Sequence, residues 1–302
     1  MINALRTLSG AIVTVLLLST LLFAHPGSGI AVDKLGQVYF LDTGSGLWKI
    51  DTSGRAFKLS GLKFHWLALD ANNGFARAQL PSSAGTGLDW EIVKVDSNPT
   101  VMIASDWPIA IGQDGGLYYQ SGRAGNLRIT RTLPSGVSSD LARLPATTTG
   151  QPIADVNGLS GGSSGSIYYT EHNAIRRIDR EGNVELIVTV PALARAPSIP
   201  STNIHPYLRG LDVDANGIMY VADAGDARVL KITPDGKIAT LVQTESPWSP
   251  TAVAHHGKDV YVLEYLHTAK EVRRAWLPRI RKILPDGTSR IIMTVDQMPG
   301  AR

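Results

Sequence analysis

The sequence of 302 residues predicts an all-β fold, a six-bladed β-propeller of four-stranded blades. Three observations carry that prediction. An apolar-Tyr-apolar strand recurs along the chain as Val38-Tyr39-Phe40, Leu117-Tyr118-Tyr119, Ile167-Tyr168-Tyr169, Met219-Tyr220-Val221 and Val260-Tyr261-Val262, with a degenerate copy expected around Phe75. A turn of one grammar occurs six times, as KIDTSGR, KVDSNPT, RTLPSGV, RIDREGN, KITPDGK and KILPDGT. Pro presets the first corner of such a turn, Asp bonds back to backbone amides, and Gly accepts positive φ. Finally, 30 Gly and 17 Pro with little helical periodicity favour short strands joined by tight turns. One such unit leaves both its faces open, and radial stacking of six covers them. An irregular β-sandwich or an eight-stranded barrel does not predict one grammar six times.

The elements follow in order. Arg6, the apolar run Ala11 to Ala24 and the following HPGSG read as a signal peptide over residues 1–24. The run is short against the roughly twenty residues of a membrane span, with an uncleaved anchor as the alternative. A cut after Ala24 places Leu22 at the third position before it, where a small residue is usual. The propeller then occupies residues 25–302, with blades at 25–62, 63–106, 107–150, 151–204, 205–247 and 248–302. Two segments exceed the repeat, PALARAPSIPSTNIHPY between blades four and five and YLHTAKEVRRAWLP inside blade six, and are expected to form a lid or collar. Export to the periplasm or the medium follows from the leader. With no cysteine, the domain has no disulfide, thiolate ligand or thiol nucleophile. The net charge of +3 is concentrated after Gly257 and lacks the aromatic-interleaved basic surface of a nucleic-acid binder. A monomer is expected, touching membrane only through an uncleaved leader.

LRGLDVDANGIMYVADAGDARVLKITPDGKI and IYYTEHNAIRRIDREG resemble the repeats of NHL propellers and of the senescence-marker/gluconolactonase-like family of six-bladed, metal-dependent lactonases. The likeness covers nearly all of the mature chain, and it specifies blades rather than chemistry. It implies metal ligands at the residues that open the innermost strands: a Glu in the first blade, an Asn before Gly-Leu, and an Asp before Gly in a later blade. Aligning GIAVD, WLALD, PIAIG, GLSGG, GLDVD and AVAHH sets Ser28, His65, Trp107, Asn157, Arg209 and Thr251 in that ring. Only Asn157 matches the family's ligands. A hard cation such as Ca²⁺ or Mg²⁺ wants several oxygen ligands, preferably carboxylates. Here Ser28 stands for the Glu and Arg209 for the Asp, so no cofactor is expected, and Asn157 is the one ligand should a metal bind after all.

Arg209 offers a planar fork of donors suited to a carboxylate or phosphate, or else pairs with Glu171 or Glu264 and ties blades together. Asp42, Glu171, Asp223 and Glu264 recur after the Tyr-containing strands, which argues for a scaffold role accepting backbone amides. Glu171 and Glu264, the longer pair with His172 and His267 nearby, are the candidate general bases. His25 and His65 precede strands on the ligand face, whereas His255 and His256 are expected at the surface. Trp66, Trp107 and Trp248 either line the pocket or wedge blades. The sequence has no H-E-x-x-H run, G-x-S-x-G elbow or Walker loop, and the glycines of 158–165 form a turn.

Three functions fit these residues. The first is binding of a small polar or anionic ligand, or a partner surface, at the channel mouth by His25, His65, Trp107, Asn157 and Arg209. The second is a lactone or ester hydrolase, with Glu171 or Glu264 as base and Arg209 or His65 stabilising the oxyanion. The third is an interaction scaffold that meets another protein through the basic loop of blade six.

Overall fold

In a computed structural model of the chain, residues 27–61, 63–78, 80, 90–95, 100–153, 155–193, 207–266 and 277–297 are described. The leader at 1–24 and His25 lie outside them, as do His267 and most of the two long loops.

Five sheets follow the predicted pattern of four antiparallel strands in chain order. Blade one comprises β1 (Ile30–Val32), β2 (Val38–Asp42), β3 (Gly46–Ile50) and β4 (Ala56–Ser60). Blade three holds β8 (Ile109–Ile111), β9 (Leu117–Ser121), β10 (Arg128–Thr132) and β11 (Ser138–Arg143). Blade four holds β12 (Gly158–Gly161), β13 (Ile167–Glu171), β14 (Ala174–Ile178) and β15 (Val184–Thr189). In blade five these are β16 (Leu208–Val213), β17 (Met219–Asp223), β18 (Arg228–Ile232) and β19 (Ile238–Gln243); in blade six, β20 (Trp248–His256), β21 (Asp259–Leu266), β22 (Pro278–Ile283) and β23 (Ser289–Thr294). The Tyr-containing strands are the second of each sheet, and β2, β13 and β17 are buried along their whole length.

Five of the repeated turns join third strands to fourth, and KVDSNPT links the neighbouring β6 (Trp90–Val95) and β7 (Thr100–Ser105) of blade two. In these five the Gly N–H bonds the carbonyl three residues back: Gly54 to Asp51, Gly136 to Leu133, Gly182 to Asp179, Gly236 to Thr233 and Gly287 to Leu284. Each of these glycines has φ between 80° and 88°, the left-handed region that explains the residue type. The sixth turn falls outside the described residues.

Blade two departs from the expectation. Phe75 lies in a 3₁₀ turn, Gly74–Arg77, and not in a strand. Asp70 Oδ2 accepts the Phe75 N–H at 2.8 Å, and Asn73 takes a left-handed φ of 57°, so the chain coils after β5 (Trp66–Asp70). The described strands of this sheet run β5, β7 (Thr100–Ser105), β6 (Trp90–Val95), with β7 in the second position. Phe75 is still fully buried, packed with Trp66, Ile103 and Tyr119 between blades two and three.

The inner strands close a cycle: β1 touches β5, β5 touches β8, and contacts continue through β12, β16 and β20 back to β1. Among the described residues each sheet draws its strands from its own stretch of chain, and blade one meets blade six by packing of β1 on β20. The joint buries Ile30, Phe40 and Trp48 of blade one with Leu263, Tyr265 and Ile280 of blade six. Tyr265 also donates its hydroxyl to the Leu41 carbonyl at 2.9 Å, which makes it a core residue and not part of the long loop of blade six.

Candidate functional site

The six inner strands surround a channel of about 200 Å³, lined mostly by small and aliphatic residues from Ile30, Leu67, Ile109, Leu159, Leu211 and Val253 onward. Ser28, His65, Trp107, Asn157, Arg209 and Thr251 each stand two residues ahead of those first lining residues, so the repeat alignment brings them to one level at the channel's end.

Hydrogen bonds link these positions around the rim. The Trp107 N–H bonds Ser105 Oγ at 3.1 Å, His65 N–H bonds the Ser105 carbonyl at 3.1 Å, and Ser28 N–H bonds the His65 carbonyl at 2.7 Å. Arg209 crosses blade six to reach blade one, where its Nε and Nη2 donate to Ser28 Oγ at 3.2 and 2.9 Å. Thr170 Oγ1 donates to the Arg209 carbonyl at 2.7 Å, and the Thr170 carbonyl accepts the Asn157 N–H at 2.9 Å. Thr251 Oγ1 donates to the Gly27 carbonyl at 2.7 Å. Trp107 packs against the blade-two and blade-three core, so it both wedges those blades and flanks the rim.

Gly158 explains the second half of the Asn-Gly pair. A Cβ there would lie 2.4 Å from the Arg209 carbonyl oxygen and 2.9 Å from Thr170 Oγ1, so only glycine lets blade five approach. Gly158→Ala is expected to destabilise the fold by about 1–3 kcal/mol, read as a lower urea midpoint, because backbone must move to admit the methyl. An unchanged midpoint would mean the blades are not packed this closely.

Arg209 carries the strongest electrostatic feature of the rim. Burial pulls its guanidinium below the usual arginine range, with the phenols of Tyr207 and Tyr265 opposing the shift. Arginine nevertheless stays protonated, so the rim holds a cation partly stripped of water. Neither Glu171 nor Glu264 is its partner, because both acids are held by arginines of their own blades.

At His65, Nδ1 lies 2.8 Å from Asp106 Oδ1, while Nε2 is buried without a hydrogen-bond partner among the described residues. A carboxylate only accepts, so in the neutral ring the proton sits on Nδ1 and the lone pair on Nε2. That is the orientation of a histidine able to accept a proton or a ligand hydrogen bond.

The two candidate glutamates are bonded to arginines and not to the rim residues. Glu171 is 1% exposed and its Oε1 accepts from Arg176 Nε at 2.6 Å. Glu264 is 0% exposed and takes one guanidinium on each oxygen, Arg279 and Arg281, both at 2.5 Å. Asp223 likewise accepts from Arg228 at 2.7 Å, whereas Asp42 bonds the Gly44 N–H at 3.0 Å and the Ser45 hydroxyl. The recurring acids thus hold the hairpin between second and third strands, mainly through arginines rather than backbone amides.

His255 is a channel residue, contrary to the expectation of a surface position. The far end of β20 is the other end of the channel, not open surface, and there His255 Nδ1 lies 2.7 Å from Asp212 Oδ2. The bond to Asp212 raises the imidazole above its ordinary value near 6.5, against the effect of burial. A raised folded value gives stability fully present below the unfolded value and lost as pH climbs through the folded one. The urea midpoint is therefore expected to fall as pH rises from about 6 to about 9, and Asp212→Asn to flatten that decline.

The residues at the rim do not fit the divalent cation that the family resemblance implies. A guanidinium bonded to Ser28 Oγ fills the place of a carboxylate, and no group of three or more His, Cys, Asp or Glu able to hold a metal occurs among the described residues. No step is assigned to a metal.

No protein family and no curated protein matches the chain. Solved structures do. Virginiamycin B lyase from Staphylococcus aureus is 16% identical with a TM-score of 0.51, covering 89% of this chain and 84% of its own. A luciferin-regenerating enzyme is 17% identical with a TM-score of 0.52, over 84% and 91%. A protein of unknown function from Bacteroides thetaiotaomicron is 13% identical with a TM-score of 0.54, over 84% and 68%. What the chain shares with such proteins is the six-bladed β-propeller fold.

Proposed function

We propose that the channel mouth binds a small molecule carrying a carboxylate or a comparably anionic oxygen, with Arg209 as its charge partner. The observation that carries this reading is the partly buried guanidinium held at the rim by Ser28. An anion seated there replaces the solvation that burial removed, and a planar carboxylate matches the donor fork. The Asn157 amide supplies a neutral donor beside it, His65 Nε2 accepts from a hydroxyl of the same molecule, and Trp107 gives an apolar wall. The leader-like N-terminus supports an exported protein, which we take to act as a monomer. Titration calorimetry with acetate, glycolate and gluconate tests the reading. At least one is expected to bind with salt-sensitive affinity, and failure of all three in low salt would overturn it.

The Asp106–His65 pair favours a second reading, hydrolysis of a lactone or ester. His65 Nε2 would take a proton from water as its oxygen adds to the carbonyl, Arg209 would face the oxyanion, and the proton would pass to the leaving alkoxide. On this reading His65→Ala lowers turnover of simple lactones or aryl esters by about 10²–10⁴. Turnover that survives the substitution would dismiss His65 as the base.

A further inference from the structure

Beside the mouth lies a second cavity of about 310 Å³, enclosed by the β13–β14 hairpin and the turn at 147–151. Glu171, His172 and Ala174 line one side, and Thr147, Thr149 and Gln151 the other. The turn is held by the Gln151 N–H on Thr147 Oγ1 at 3.0 Å, which fixes the rim.

This region gathers buried polar atoms without partners. Glu171 gives one oxygen to Arg176, but its Oε2 is buried and meets no donor among the described residues. Its neighbour His172 has a buried Nδ1 that also lacks a partner there. The hydroxyl of Tyr169, two residues back on the same face of β13, is in the same condition. Its phenol is pushed upward by burial and by the nearby Glu171. Buried polar atoms are nearly always satisfied, so two on residues that line the cavity, Glu171 and His172, with the Tyr169 hydroxyl behind them in the core, call for an occupant.

The chemistry of the wall selects the class of occupant. Arg176 balances the charge of Glu171, so the cavity offers no net charge to an ion. Glu171 Oε2 only accepts, while the threonine hydroxyls, the Gln151 amide and the His172 ring can serve either way. A hydroxyl group both donates and accepts and so suits this set best. We propose that this cavity is a second binding site, distinct from the mouth, for a neutral hydroxyl-bearing molecule of about monosaccharide size that donates to Glu171 Oε2.

Saturation-transfer NMR on the full mature chain, with glycerol, D-xylose, D-glucose and myo-inositol at millimolar concentration, tests the proposal. Transfer to at least one probe is expected in the wild type and in Arg209→Gln, which leaves this cavity intact. It should be lost in Ala174→Leu, which fills the cavity, and in Thr149→Trp, which blocks the exposed rim without touching the core. If Ala174→Leu does not fold, the rim variant decides. No transfer to any probe would mean that ordered water alone satisfies the three atoms, and would overturn the proposal. Transfer that survives the cavity variants, or is lost in Arg209→Gln, would also overturn it.

Discussion

Glu264→Ala is expected to lower the melting temperature by about 10 °C, a loss of about 3–5 kcal/mol. Glu264 is 0% exposed, and its two oxygens take Arg279 and Arg281, whose side chains are only 11% and 5% exposed. Removing the acid leaves two guanidiniums in a poor dielectric, and breaking one side of a buried pair costs more than the intact pair contributes. Both arginines also reach Glu245 at 2.7 Å, but that carboxylate is 64% exposed. Water screens it, and Glu245→Ala is expected to cost no more than about 1 kcal/mol. Thermal denaturation of the two variants side by side checks the contrast. Equal losses would mean that blade six is not held by the buried acid.

Arg209→Gln is expected to weaken binding of a carboxylate at the mouth by at least about thirtyfold, or about 2 kcal/mol, while leaving the melting temperature unchanged or slightly raised. The two halves have one cause. Burial disfavours the guanidinium in the free protein, so replacing it with a neutral amide that can still donate to Ser28 relieves a cost. The same replacement removes the charge that would hold an anion. A residue that costs stability and supplies recognition is the usual compromise at a binding site. A fall of several degrees with unchanged affinity would reassign Arg209 to the scaffold.

The repeat makes the propeller legible in the sequence. Turns such as KITPDGK and KILPDGT encode their own geometry, and tyrosine strands mark the second position of their blades. Phe75 misleads because its strand-like spacing is overridden locally: Asp70 and the Asn-Asn-Gly that follows it close a turn. The ring of six rim positions follows from alignment alone, since equivalent residues of equivalent strands share a level. Their bonds do not follow. Arg209 and Ser28 are 181 residues apart and His65 and Asp106 are 41 apart, separations over which periodicity is silent. The arginine clamps are partly visible, because TEHNAIRR and ADAGDARV each place an Arg five residues after the acid, across one hairpin. Glu264 and its arginines are parted by the blade-six insertion, which hides the same pattern. His255 reads as a surface residue only until the blades are closed into a ring, where the far end of an inner strand is still channel wall.

The central claim is that Arg209 makes the mouth a site for anionic oxygen. The measurement that tests it most directly is the ratio of dissociation constants for glycolate and its neutral amide, glycolamide, by titration calorimetry on the wild type and Arg209→Gln. The account predicts that the wild type prefers the carboxylate by at least about tenfold in low salt and that the variant shows no preference. Equal affinities in the wild type, or a preference that persists without Arg209, would contradict it.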